Sequence, residues 1–133
     1  MQALPFVQPG KPLGESRLAL VTTGGVHLPS QPRFDIDDPA GDPSYREIPT
    51  DAPSLTWTHA YYRPDEDTDL DSVLPLRTAR ALASEGVVGE LNGRCFSFMG
   101  AIHDPAWLEE ETAPEVAHRL AADGVDVALL TPS

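Results

Sequence analysis

At 133 residues the chain is the size of one ordinary domain, which buries roughly two-thirds of its unfolded surface. Its 21 acidic and 9 basic side chains give a formal charge of −12, which argues against nucleic acid and anionic membranes as partners, because both call for clustered Lys and Arg. An apolar fraction of 41% excludes wholesale disorder, the one cysteine, Cys95, excludes an internal disulfide, and no run reaches the ~18 apolar residues of a membrane span. Met1–Gly10 has neither the basic start nor the apolar stretch of a signal peptide, so a reducing, cytoplasmic location is expected.

Most of the 14 prolines precede residue 76, which predicts a loop-rich first half and regular structure in the second. Leu18–Thr22 (LALVT) is a short, fully apolar run closed by Thr23-Gly24-Gly25, the pattern of a buried, parallel-type strand. Pro29–Pro53 is rich in Pro, Asp and Gly without a period of 2 or 3.6, and reads as one long functional loop or surface wrap. Leu55–Tyr62 (LTWTHAYY) has the aromatic and β-branched content of a second strand, and Pro64–Asp71 reads as an acidic loop. Val73, Leu76, Ala79, Leu82 and Ala83 form a helical stripe over Val73–Glu85, with Pro75 in the first turn and Gly86 at C′. Val87–Leu91 and Arg94–Met99 are short extended pieces. Pro114 predicts a break in the next helix, giving a turn at Pro105–Glu110 and a helix at Pro114–Ala122 with Thr112 as N-cap. Val125–Thr131 (VDVALLT) is a final apolar strand. This order predicts a single α/β domain: an open, mostly parallel sheet with flanking helices and a long Pro/Asp-rich loop.

Ligands of open α/β sheets gather at the carboxyl ends of the strands. Thr23-Gly24-Gly25 stands at such an end, where glycines let backbone N–H groups approach a ligand, and His27 follows as an acid, base or anion donor. The pattern is neither G-x-G-x-x-G nor a P-loop, and a tight turn with an incidental histidine is the plain alternative. His59 would emerge at the same edge if the two strands are parallel neighbours. Two histidines with a carboxylate could bind a metal, but the spacing carries no metal signature and none is assigned. Asp67, Asp69 and Asp71 have the alternate spacing of a calcium loop; Ser72 replaces its glycine and Thr78 its bidentate Glu, so a solvated acidic loop is expected. Cys95, in an apolar stretch with no base identified beside it, reads as a buried structural thiol, and His103 and His118 as surface or interface residues.

Five segments together resemble one family. Leu18–His27 with its continuation (LALVTTGGVHLPSQPRFD), Gly41–Ile48 (GDPSYREI), Thr56–Tyr62, Ser97–Gly100 (SFMG) and Gly124–Pro132 (GVDVALLTP) occur in the same order in the selenoprotein B subunits of glycine, sarcosine, betaine and D-proline reductases. The short D-proline-reductase-like branch looks nearest. The resemblance implies a reductase component that cleaves the C–N bond of a small amino acid or amine. The alternative is a non-catalytic binding or scaffold homologue that has lost the redox motif. It implies His27 and His59 as catalytic residues, Thr23, Gly24, Gly25 and Tyr45 as substrate-binding residues, and Thr131–Ser133 as a third wall of the site. Family members often carry another histidine soon after the one matching His59, where this sequence has Ala60 and Tyr61. No cofactor is expected within these residues. In the family a selenocysteine or cysteine follows a segment like Leu129–Pro132, so the nucleophile is expected directly after Ser133. A UGA selenocysteine codon read as a stop is the favoured explanation, over degeneration or trimming; any other genomic codon there would sink it. The expected partners are the amino acid or amine substrate and either a partner reductase subunit or further copies of the chain. D-proline reductase would also need a separate pyruvoyl-bearing subunit.

Overall fold

The apolar run at Leu18 forms the central strand of the sheet in the computed structural model, which describes residues 3–5, 7–60 and 69–132. In chain order the elements are β1 (Arg17–Thr22), β2 (Val26–His27), β3 (Tyr45–Pro49), β4 (Thr56–Trp57), α1 (Leu76–Ser84), β5 (Glu90–Leu91), β6 (Arg94–Phe98), α2 (Ala113–Ala122) and β7 (Val127–Thr131). One edge of β1 pairs in parallel with β7 along its length, from Leu18↔Val127 to Thr22↔Thr131. The other edge takes β5 beside Arg17 and Leu18, then β6 beside Val21 and Thr22, also in parallel. Asn92-Gly93 joins β5 to β6 and shifts the register there. β3 closes the far side of β6 in the antiparallel sense. The result is a mixed α/β fold on a mostly parallel sheet with two helices.

Side-chain alternation sends the two halves of β1 to two cores. Leu18 and Leu20 pack with Ile48, Cys95 and the α1 residues Leu76 and Ala79. Val21 packs on the other face with Phe96, Phe98 and Val116 of α2. Helix α1 ends as its sequence requires, with Gly86 at a φ of +77°, the left-handed conformation that glycine adopts most easily. Its start is capped from a distance: Asp71 accepts from the Arg77 N–H at 2.7 Å and from the Thr78 hydroxyl at 2.6 Å. That gives Asp71 and Thr78, two positions of the calcium-loop comparison, a helix-capping role. Asp67 lies outside the described residues, as do Tyr61 and Tyr62 of the expected second strand.

Three expectations need correction. Pro29–Pro53 is not one unpatterned connection, because it contains β3. The segment from residue 28 to 44 has no helix or strand, but side chains organise it: Leu28 N–H donates to Gln31 Oε1, Gln31 Nε2 to the Glu47 carbonyl, and Asp35 N–H to Asp42. The second strand is not a parallel neighbour of β1 either. β4 pairs antiparallel with β2 in a separate two-stranded ribbon, because Gly25, at a φ of +68°, turns the chain and its carbonyl accepts from Thr58 N–H. Finally, Pro114 does not break the last helix. A π-helical turn at Leu108–Thr112 precedes it, and wider i→i+5 pairing accommodates the missing N–H. The Thr112 hydroxyl makes no cap and donates instead to the Pro43 carbonyl at 2.8 Å.

Candidate functional site

The carboxyl ends of β1, β6 and β7 collect buried polar side chains. Thr22, in the row Ser97–Thr22–Thr131 across three strands, is fully buried, as is Ser97. The Thr22 and Thr131 hydroxyls both reach the Val73 carbonyl ahead of α1, at 2.9 and 2.7 Å. Ser97 Oγ is buried without a hydrogen-bond partner among the described residues.

The glycines are explained by packing. A Cβ on Gly24 would lie 1.9 Å from Val73 Cγ1, and one on Gly25 would lie 2.0 Å from the Thr58 carbonyl oxygen. Their N–H groups already donate internally, Gly24 to Thr22 Oγ1 at 3.1 Å and Gly25 to the Phe98 carbonyl at 2.9 Å. The Thr23 N–H likewise donates to the Thr131 carbonyl at 3.1 Å, which joins this turn to the end of β7. The turn therefore shapes the edge and aims β2, while its amides stay inside the fold.

What β2 aims is His27, only 3% exposed. Its Nδ1 lies 2.8 Å from the Leu28 carbonyl, which can only accept, so this nitrogen carries the proton. Nε2 then faces Thr58 Oγ1 at 3.1 Å. Phe34 packs edge-on to the imidazole at 6.3 Å between ring centroids, and Arg46 covers the Phe34 ring at 4.3 Å. The site thus holds an imidazole of fixed tautomer, shielded on one side by an aromatic ring and coupled to a hydroxyl that can pass a proton. A cleft of about 460 Å³ opens beside it, lined by His27, Pro29, Arg33, Thr56, Trp57 and Thr58.

The residue that meets His27 is Thr58, which the sequence offered only as the neighbour of His59. The signal was there: the alternation of β4 puts Thr56 and Thr58 on the side opposite Trp57, and Gly25 brings that side to His27. His59, next along the chain, is also buried. Burial pushes its imidazole below the ordinary value, which leaves it neutral at pH 7. Tyr45 is not brought to the histidines. Its ring packs at 5.9 and 5.8 Å from Phe96 and Phe98 on the α2 face, with Arg119 above it. Cys95 is fully buried and donates to the Ile48 carbonyl; burial pushes its thiol up to about 12, so it carries negligible thiolate at neutral pH. Among the described residues, no three His, Cys, Asp or Glu side chains are grouped to hold a metal ion, and no helix is long and apolar enough to cross a membrane.

α/β sheets commonly bind ligands at the carboxyl ends of their strands, and here that end carries a cleft beside a buried imidazole–hydroxyl pair. Comparison with known proteins makes the class specific. The chain belongs to the glycine/sarcosine/betaine reductase selenoprotein B family (GRDB), which it matches over residues 1–133. It is 39% identical to the D-proline reductase subunit gamma of Acetoanaerobium sticklandii over 124 residues, 91% of this chain and 50% of that subunit. It is 30% identical over 139 aligned positions to the glycine reductase complex component B subunit gamma of Peptoclostridium acidaminophilum, covering 98% of this chain and 32% of the relative. The corresponding Peptoclostridium litorale subunit is 29% identical with the same coverages. The chain thus spans between a third and a half of the length of these relatives. No solved structure gives a significant match.

Proposed function

We propose that this chain is part of a reductase that cleaves the C–N bond of a small amino acid or amine, using a selenolate or thiolate that its 133 residues do not supply. The observation that carries this reading is the match to a reductase selenoprotein family along the whole chain. The geometry supports it. A C–N cleavage needs a proton delivered to the departing amine. A proton taken up at His27 Nε2 can pass to the Thr58 hydroxyl, which hands its own on to the amine. His59 contributes a second, neutral imidazole, and the Gly24-Gly25 turn fixes the cleft edge. Thr23 and Thr131 hold the end of β7 beside that turn. The selenolate or thiolate attacks the carbon bearing nitrogen, and the C–N pair leaves with the amine, which takes up the proton. A second thiol then attacks the selenium or sulfur, forming an Se–S or S–S bond as the bond to carbon breaks. The carbon keeps that electron pair and takes up a proton, so the selenol–thiol or dithiol pair is oxidised by two electrons. Cys95, buried and fully protonated, cannot serve as the nucleophile.

One observation favours the rival reading of a non-catalytic scaffold: the amides of Thr23, Gly24 and Gly25 all bond within the fold. Substrate-dependent dithiol oxidation decides between them. The chain is assayed alone, and joined to the cysteine- or selenocysteine-bearing remainder of a D-proline reductase gamma subunit in the presence of that enzyme's other subunits. The expected result is no turnover alone, turnover when joined, and a loss of about 10²–10⁴-fold in kcat for His27→Gln. No turnover of glycine, sarcosine, betaine or D-proline by the joined protein would establish the scaffold instead. Turnover by the chain alone would refute the assignment of the nucleophile.

A further inference from the structure

The chain carries more than two acidic groups for every basic one, so its cations should all find carboxylates. Most do. Lys11 pairs with Asp126, Arg17 with Glu90, Arg77 with Asp69, Arg94 with Glu47 and Asp123, and Arg119 with Glu47 and Glu115. Arg80 donates to the Thr50 carbonyl, and Arg46 donates to Ser44 and to the carbonyls of Pro32, Arg33 and Tyr45. Arg33 is the exception among the described residues. Its guanidinium has no ion pair, hydrogen bond or ring contact there, yet it lines the cleft that His27 and Thr58 line.

Its position is fixed by its neighbours. Phe34, 3% exposed, anchors the next residue against His27, and the Arg46 guanidinium holds the carbonyls of Pro32 and Arg33 at 3.0 and 3.3 Å. The backbone is held on both sides, and the Arg33 side chain is left exposed at the cleft. A guanidinium presents a rigid fork of N–H donors that matches a carboxylate, and it stays charged at every physiological pH. Trp57 also lines this cleft, while its side chain packs against the core that holds Val26.

We propose that Arg33 is the carboxylate anchor of this cleft, holding the acid group of an amino-acid substrate while the Thr58–His27 pair faces its amine end. The inference rests on the reductase reading of the site. It commits that reading to substrates that carry a carboxylate, and assigns amines lacking one to the poor substrates.

The test titrates the full 133-residue chain, as wild type, Arg33→Gln and Arg33→Lys, with D-proline, its decarboxylated counterpart pyrrolidine, and acetate. Binding is followed by the NMR signals of the Trp57 indole and the His27 ring. Arg33 is exposed and has no partner among the described residues, so all three proteins should melt at the same temperature. In the wild type, D-proline should bind about tenfold or more tightly than pyrrolidine, as expected for a hydrogen-bonded charge pair. Arg33→Gln should abolish that preference and leave pyrrolidine unchanged, and Arg33→Lys should restore part of it. D-proline binding that is indifferent to Arg33→Gln overturns the anchor and leaves the reductase reading standing. Arg33-dependent acetate binding with D-proline no tighter than acetate keeps the anion site and overturns its amino-acid occupant. If no ligand moves the cleft signals, the anchor is refuted whatever the reductase assay shows.

Discussion

The two ends of the parallel strands carry different polar groups. At the amino ends partly exposed charges pair with one another, beside the buried, neutral Ser16 and Asn92. Arg94 grips Asp123 through Nε and Nη2 at 2.6 and 2.9 Å, Glu47 bridges Arg94 and Arg119, and Asp126 accepts from the Arg17 N–H at 2.9 Å. At the carboxyl ends the buried groups are hydroxyls and imidazoles: Thr22, Ser97, His27, Thr58 and His59. These side chains are 22–42% exposed, so each pair contributes modestly, and the end is tied together by several cations sharing a few carboxylates. A hydroxyl–imidazole pair carries no such ion pair, and a proton that reaches the imidazole can be handed on through the hydroxyl. The difference separates an end cross-linked by charges from an end where buried hydroxyls meet imidazoles.

The comparison is broken most severely through the turn that builds the carboxyl end. Gly25→Ala would put a methyl group 2.0 Å from the Thr58 carbonyl at a φ of +68°, where L residues are already strained. A loss of roughly 3–5 kcal/mol, or failure to fold, is expected in chemical denaturation. Gly86→Ala is the control, because its φ is +77° but nothing lies within 4 Å of the added carbon. It should cost about 1 kcal/mol. Equal losses at the two glycines would show that backbone strain alone, and not the Thr58 contact, fixes the first.

The charged end predicts a smaller effect that depends on acid. Hydrogen bonds from Arg94, then Asn92, hold the Asp123 carboxyl below the ordinary Asp range. A carboxyl depressed in the folded state stabilises it fully above the unfolded value near 3.9, and the contribution fades as pH falls through the lower folded value. Asp123→Asn should therefore cost about 1–2 kcal/mol at pH 7, discounted because the pair is partly exposed. The gap to wild type should narrow below pH 4. Urea melts at pH 7 and pH 3 measure it, and a gap that widens in acid would refute the assignment.

How much of this was legible depends on whether the decisive contact is local in sequence. β1, α1, β6 and β7 are, because each follows from an apolar run or stripe and its punctuation, such as Gly86 after α1. β3 was hidden because Tyr45–Pro49 pairs with β6 some fifty residues away, on a face shared with Tyr45, Phe96 and Phe98, and its own five residues carry one buried apolar side chain. The glycines were noticed for the right location, but their cause lies in Val73 and Thr58, which only the folded chain brings near. The placement of His27 just after the carboxyl end of β1 followed from general rules about α/β sheets. Thr58 and Arg33 did not stand out. Thr58 is brought to His27 by a turn angle at Gly25, and Arg33 differs from the other arginines only in that its guanidinium has no partner among the described residues.

The mildest test reaches the pair itself. Thr58→Val keeps the shape and removes the hydroxyl that faces His27 Nε2 at 3.1 Å, so it should cost only about 1 kcal/mol of stability. The Leu28 carbonyl, 2.8 Å from Nδ1, should keep the imidazole in the Nδ1–H form, which ¹⁵N NMR of the ring reads directly. If the pair works as a proton relay, turnover of the reconstituted reductase should then fall by more than the stability change accounts for, although fold and tautomer are unchanged. A ring that switches to the Nε2–H form would show that Thr58, and not Leu28, sets the tautomer. The carboxyl end would then depend on a single hydroxyl, where the amino end spreads the same task over a network of charges.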